Sequence, residues 1–247
     1  MLSKAIVKYI QSLHHKKFRE QHHAFIAEGP KVVKDLLVSG EFLCKMICAV
    51  EDWFDDHEEL SATAKQENKI KITEVELQKI SLLHTPNKVL AVFDKKKTGH
   101  LNVKKSINLM LDDIQDPGNM GTIIRIADWF GIKNIICSVD CVESYNPKVV
   151  QSSMGSLGRI SILYTDLKNF INSNEDIPVF AATLTGRPVV SVSKINEGFI
   201  IIGNESKGVE EELLQLTSGQ ITIPRFGKAE SLNAAVATGI ILSHIIK

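Results

Sequence analysis

Apolar positions along the chain follow two rhythms. Up to about residue 94 they fall into short, mixed stretches. A basic segment reads as a helix from Lys4 to His15. A second helix runs from Pro30 to about Ser39, opened by proline at its first position and closed near Gly40. FLCKMICAV reads as a strand, and the acidic stretch 51–59 leads into a helix through about Asn68. IKITEV is a short strand, VELQKISLLH a short helix before Thr85 and Pro86, and VLAVFDK another strand. Residues 1–94 thus form a small α/β module. From Ser106 onward INLMLDD, IKNIICSV, RISILY, IPVFAATL, FIIIGN and QITIP alternate with helices predicted at 121–130, 148–157, 166–173, 208–217 and 231–246. That alternation predicts a largely parallel sheet with helices on both faces over 106–247. The Lys-rich KKKTGHLNVKK, residues 95–105, is the linker.

Ligands of such sheets bind beyond the carboxyl ends of the strands. The loops there are QDPGNMG, TLTGR, GNESKG and IPRFGKAESLN. The last of them belongs to a stretch from Ile221 to Ile246 that reads as a strand ending in Pro224, a loop through Gly227, and an apolar helix capped by Ser231. A helix start carries unpaired N–H groups, and Ser231 and Asn233 would add short polar side chains there. No loop matches a dinucleotide or NTP phosphate motif: there is no G-x-G-x-x-G after a strand, and GNESKG is not a P-loop.

Composition narrows the picture in three ways. Lys plus Arg equal Asp plus Glu at 29 each, so overall charge gives no argument for a polyanionic partner. The charges are segregated, however: Lys4, Lys8, Lys16, Lys17 and Arg19 form an acid-free start, and Lys95, Lys96, Lys97, Lys104 and Lys105 a second cluster. Glu51, Asp52, Asp55, Asp56, Glu58 and Glu59 are the counterweight. A basic face is therefore possible, although charge runs are usually solvated surface. No apolar run reaches the roughly 18–20 residues of a membrane span and no continuous signal-peptide core opens the chain, so no membrane contact and a cytoplasmic location are expected. Cys44/Cys48 and Cys137/Cys141 are each spaced four apart in strand-like surroundings, which fits buried free thiols better than a metal or a disulfide.

Three patterns remain: Asn119-x-Gly121-x-x-x-Arg125-x-Ala127, then Gly203-Asn204-Glu205-x-x-Gly208, then Ile223-Pro224-x-x-Gly227-x-x-x-Ser231-Leu232-Asn233. Singly, Arg125 reads as a surface salt-bridge residue, Glu205 as a turn carboxylate and Asn119 as a turn former. In this order and spacing they resemble the three motifs of the SpoU (TrmH-like) RNA ribose 2′-O-methyltransferases, a branch of the SPOUT class. The resemblance covers Ile107 to Ile246. NPKVVQSSMGSLGRI, from Asn146 to Ile160, is similar to the family's middle segment, and FIAEGPKVVKDLL, from Phe25 to Leu37, to the start of the small RNA-binding domain that many members carry. Arg225 departs from the pattern, where many relatives have a neutral residue; it adds a charge beside the expected cofactor loop.

The resemblance implies an α/β fold in which a small α/β RNA-binding domain precedes a C-terminal SPOUT domain with a deep trefoil knot. It implies S-adenosylmethionine as cofactor, contacted by Gly203, Ile223 and Leu232 and flanked by Thr183 and Leu184. Arg125, Asn119, Ser231, Asn233 and Glu205 would form the catalytic set, with Ser231 and Asn233 near the reacting ribose and Asn119 helping to place Arg125. A homodimer acting on structured RNA is expected, ribosomal RNA before transfer RNA because of the N-terminal module. His14, His15, His22 and His23 then read as exposed or RNA-facing.

The family proposal makes the motif-one arginine the base. A neutral guanidine at pH 7 would cost roughly 7 kcal/mol, and a nearby phosphate would favour the charged form further. Arg125 is therefore better read as a clamp on phosphate and hydroxyl. Two other classes compete: a noncatalytic RNA-binding protein that keeps the knot, and a small-molecule methyltransferase without salt-dependent RNA binding.

Overall fold

The computed structural model describes residues 2–61, 68–96 and 99–246. The part of the expected acidic helix over 62–67 and Lys97 and Thr98 of the expected linker lie outside them. In chain order the first elements are α1 (Lys4–Ser12), α2 (Lys16–His22), β1 (Ala24–Glu28), α3 (Pro30–Ser39), β2 (Cys44–Ala49), α4 (Glu51–Asp56), α5 (Glu58–Ser61), β3 (Lys69–Lys71), α6 (Glu74–Ile80) and β4 (Val89–Asp94). Then follow β5 (Ile107–Leu111), α7 (Pro117–Trp129), β6 (Asn134–Cys137), α8 (Pro147–Ser152), β7 (Ser161–Tyr164), α9 (Leu167–Asn172), β8 (Val179–Pro188), β9 (Gly198–Ile202), α10 (Glu211–Leu214), β10 (Gly219–Thr222) and α11 (Ala234–Ile245). They divide into two compact units, 1–97 with 143–159, and 98–142 with 160–247.

The first unit is built on a mixed sheet of order β1-β4-β2-β3. The helix expected from Lys4 to His15 is α1, which stops three residues early at Ser12, and a second helix, α2, follows from Lys16. Ser3 caps α1, accepting from the Ile6 N–H at 3.2 Å, the helix stops at Ser12, and α2 ends at His23 in the left-handed region (φ 49°). That turn feeds β1, whose residues are all buried. On one face of the sheet Ile10 and Leu13 pack with Ile26, Leu77, Ile80, Leu90 and Val92. Elsewhere in the unit Phe25 contacts Phe42, Phe93 and Tyr145, the last from the 143–159 segment. Burial pushes the Cys44 thiol up to about 11 and Cys48 to about 12, so neither ionises near neutral pH.

Arg19 does not belong to a basic face. Its side chain is 2% exposed, and its Nη1 donates to the Leu13 and His14 carbonyls at 2.9 Å each. Its Nε and Nη2 donate to Glu143 Oε2 at 3.1 and 2.8 Å, while Lys95 Nζ reaches Glu143 Oε1 at 2.6 Å. The histidines divide likewise: His15 and His23 are exposed, but His14 is half-buried with its pKa lowered by burial, and His22 stands edge-on to the Tyr9 ring at 5.2 Å. A helix periodic in apolar residues hides its charged neighbours wherever a second helix folds back, which the linear charge pattern does not reveal.

The second unit holds a six-stranded sheet of order β10-β8-β9-β5-β6-β7, parallel throughout. β9 and β6 are wholly buried, as parallel strands covered on both faces must be. Helix α7 packs with α11, and α9 with α10. Leu101 and Val103, from the expected linker, are buried in this unit's core beside Met110, Ile136, Leu167, Val179, Phe199 and Leu213. Helix α7 begins four residues before its predicted start. Pro117 occupies its first turn and Asp116 caps it, accepting from the Asn119 N–H at 2.8 Å. Helix α11 begins later than expected, capped by Asn233 rather than Ser231. Both residues cap well, and the buried apolar pattern that selects between them starts only at Ala234.

Candidate active site

The carboxyl ends of β10, β8, β9 and β5 lie side by side in the sheet, so the loops leaving them converge by topology. β8 pairs with β10 at Phe180 and Ala181, then again at Arg187 and Pro188, while the partners on β10, Gln220 and Ile221, are consecutive. Residues 182–186 therefore bulge out of the ladder. Gly186 permits this, because a Cβ there would lie 2.5 Å from the Gln220 carbonyl carbon. The bulge carries Thr183, hydrogen-bonded through Oγ1 to Gln220 Oε1 at 3.3 Å, and Leu184, whose side chain is 72% exposed.

Beyond β9 the chain turns sharply at Gly203. A Cβ there would meet the Gly208 carbonyl carbon at 2.3 Å, and the Gly208 N–H closes the turn on the Asn204 carbonyl at 2.9 Å. The turn is fastened to the end of β5. Asn204 Nδ2 donates to the Asp113 carbonyl at 2.8 Å, Lys207 Nζ pairs with Asp113 Oδ2 at 3.1 Å, and the Glu210 N–H reaches buried Asp112 at 2.8 Å. Burial raises the Asp112 pKa. Past β10, Ile223 is half-buried and residues 225–233 are exposed, including Phe226 at 99% and Leu232 at 46%. Arg225 Nη1 donates to the Ala229 carbonyl at 3.2 Å within this loop.

The three motif segments meet in one hydrogen-bonded chain. Asn233 Oδ1 accepts from the Ala235 and Val236 N–H groups at 3.0 and 3.2 Å, which turns its NH2 outward to Asn119 Oδ1 at 2.7 Å. Asn119 must then direct its own NH2 away, and it donates to Glu205 Oε1. Backbone N–H groups at one end thus dictate the orientation of both amides and require an accepting carboxylate at the other. Each amide keeps one N–H outside the chain. Asn119, Glu205 and Asn233 are together; Arg125 stands on α7 six residues beyond Asn119, about 9 Å along the axis. It is exposed and forms no ion pair or side-chain hydrogen bond among the described residues. Ser231 is exposed and makes no hydrogen bond among the described residues.

Sequence reasoning missed Asp112, Asp113, Asp116 and Asn204 as the residues that hold these loops. The signals were present: two aspartates end the INLMLDD strand, and Asp-Pro is a helix-start pair.

The SpoU rRNA Methylase family matches residues 106–243, and the MRM3-like substrate binding domain matches residues 4–91. The 23S rRNA (guanosine(2553)-2'-O)-methyltransferase RlmP of Bacillus subtilis is 28% identical over 97% of this chain and 95% of its own length. Among solved structures, the AdoMet-bound rRNA methyltransferase from Sinorhizobium meliloti superposes with a TM-score of 0.89 at 29% identity, covering 99% of this chain and 95% of that one. A TrmH-family protein from Porphyromonas gingivalis gives 0.88 at 31% identity, covering 100% and 98%. With its parallel sheet, its three motif loops and these matches, the chain belongs to the SpoU rRNA methylase family.

Proposed function

We propose that this protein methylates the ribose 2′-OH of ribosomal RNA, with S-adenosylmethionine as methyl donor, and that Arg125, Asn119, Glu205, Ser231 and Asn233 surround the reacting ribose. The observation that carries the site assignment is the Asn233–Asn119–Glu205 chain, which locks loops from three distant parts of the sequence around unspent amide donors. The names of the Bacillus relative and of the Sinorhizobium structure support the substrate class and the donor.

The residues present fit the donor. A nucleoside joined to an amino acid through a sulfonium needs apolar walls for its base and close backbone approach, and Leu184, Leu232 and Ile223 offer the first while Gly203 allows the second. Thr183 flanks them from the bulge. When bound, S-adenosylmethionine supplies a methyl group on a sulfonium for in-line displacement. Asn119 and Asn233 each contribute one free N–H to orient the ribose, and Ser231 adds an uncommitted hydroxyl. Arg125 clamps an RNA phosphate and donates to the ribose oxygen while the 2′-OH proton passes to solvent water, a charged role that a guanidinium fills without deprotonation.

The same reading assigns residues 1–94 to RNA binding, 95–105 to a linker and 106–247 to catalysis, with a trefoil knot and a homodimer as in the family, and a cytoplasmic location. Among the described residues no helix is long and apolar enough to cross a membrane. A noncatalytic RNA-binding role is disfavoured by the intact amide chain and the uncommitted Arg125. Titration calorimetry with S-adenosylmethionine separates the two: the enzyme binds it, and a folded protein that released no heat would be a binding module only.

A further inference from the structure

A groove of about 790 Å³ lies between α1 and α6 of the first unit, lined by Leu2, Val7, Val75, Lys4, Lys8 and Lys79, with Gln11, Thr73 and Glu76 completing it. Its walls are pinned at both ends. The Leu2 N–H donates to Glu76 Oε1 at 2.7 Å, and Gln11 Nε2 to the Lys79 carbonyl at 2.7 Å. Lys4, Lys8 and Gln11 recur at helical spacing along one wall, and Val75 and Lys79 along the other.

The charges of this groove are not answered from within. Lys16, Lys31, Lys45, Lys71, Lys95 and Lys96 of the same unit are each paired with an acid. The ammonium groups of Lys4, Lys8 and Lys79 have no such partner among the described residues. The one carboxylate lining the groove is spent: Glu76 Oε2 accepts from the Thr73 N–H at 3.0 Å and hydroxyl at 3.3 Å, and Oε1 from Leu2. Those bonds hold its pKa below the usual value, so it stays ionised and occupied. Three cations without ion-pair partners, against one carboxylate held by neutral donors, over an aliphatic floor make a preorganised site for a flexible polyanion whose sugars cover apolar surface between its phosphates.

We propose that this groove binds a single-stranded segment of the substrate RNA, remote in sequence from the residues assigned to methyl transfer; the proposal rests on the RNA methyltransferase reading above. The lining is aliphatic rather than aromatic and carries no arrangement of side-chain amides for base edges, so the contact is to backbone and sugar and tolerates sequence change.

The test uses the full chain and a labelled oligouridylate, comparing wild type with the triple variant K4Q/K8Q/K79Q and with the control K16Q/K31Q/K71Q, which removes the same charge from paired lysines. The groove variant is expected to lose at least ~10-fold in affinity at low salt and to flatten the slope of log K against log salt by about 2, while the control keeps most of both. S-adenosylmethionine affinity and the circular dichroism spectrum are expected to stay at wild-type values. A groove variant with the wild-type slope, or a control that falls equally, overturns the proposal and leaves the groove to a protein partner or to none. Wild type that binds no RNA while binding S-adenosylmethionine would instead remove the RNA reading, and the groove proposal with it.

Discussion

Two polar networks in this molecule are built from similar parts and serve opposite ends. In the first unit Arg19, Lys95 and Glu143 form a closed set: the Arg19 and Glu143 side chains are 2% and 11% exposed, and both carboxylate oxygens are taken. In the second unit Asn119, Glu205 and Asn233 form an open one, half-buried or exposed, with an N–H left over on each amide. Closed networks of buried charge act on stability, because any missing partner strands an ion in a low dielectric. An open network in which two neutral amides end on a half-buried carboxylate costs less to desolvate than a buried ion cluster and keeps donors for a ligand. The contrast supports, without reference to any relative, the proposal that the chemistry belongs to the second unit.

The largest expected effect breaks the closed set. Glu143→Ala strands the Arg19 guanidinium and is expected to destabilise the first unit by about 3–5 kcal/mol, read from urea unfolding of the full chain. S-adenosylmethionine affinity under folding conditions should change little. Gly203→Ala sharpens the other side: a Cβ 2.3 Å from the Gly208 backbone must displace the turn, at a cost of about 1–3 kcal/mol, with a larger proportional loss of S-adenosylmethionine affinity by calorimetry. The smallest stability change is expected from Asn233→Ala, which removes the α11 cap for about 1 kcal/mol and frees Asn119 to rotate. Its kcat on RNA should fall much further than that figure explains. A kcat loss no larger than the stability loss would place Asn233 among purely structural caps.

Much of this was legible in the residues. The six strands of the second unit were all visible as apolar runs; β5, β6 and β9 are buried almost throughout, and such strands need no alternation to be recognised. Helix α3 was fixed at both ends by Pro30 and Gly40. The motif loops were legible because each joins a strand end to glycine and short polar residues. The early end of α1 at Ser12 was not, because the Leu13–His15 turn that follows holds no glycine or proline to mark it. The burial of Arg19 was not either: its partner Glu143 stands 124 positions away, and no local pattern encodes such a pairing. The amide chain is a third case. Asn119, Glu205 and Asn233 could each be named, yet the direction of their hydrogen bonds follows from the Asn233 cap, which the apolar pattern misplaced by two residues at Ser231.

The central claim is that the open network and Arg125 carry out ribose methylation of ribosomal RNA. The most direct measurement maps 2′-O-methyl groups across ribosomal and transfer RNA in a strain lacking this gene, complemented with wild type or with Arg125→Ala. The account predicts one ribosomal site lost in the deletion, restored by wild type and not by Arg125→Ala, whose purified form should fold normally and lose about 10²–10³ in kcat. Full restoration of that site by Arg125→Ala, or a map unchanged by the deletion, would contradict it.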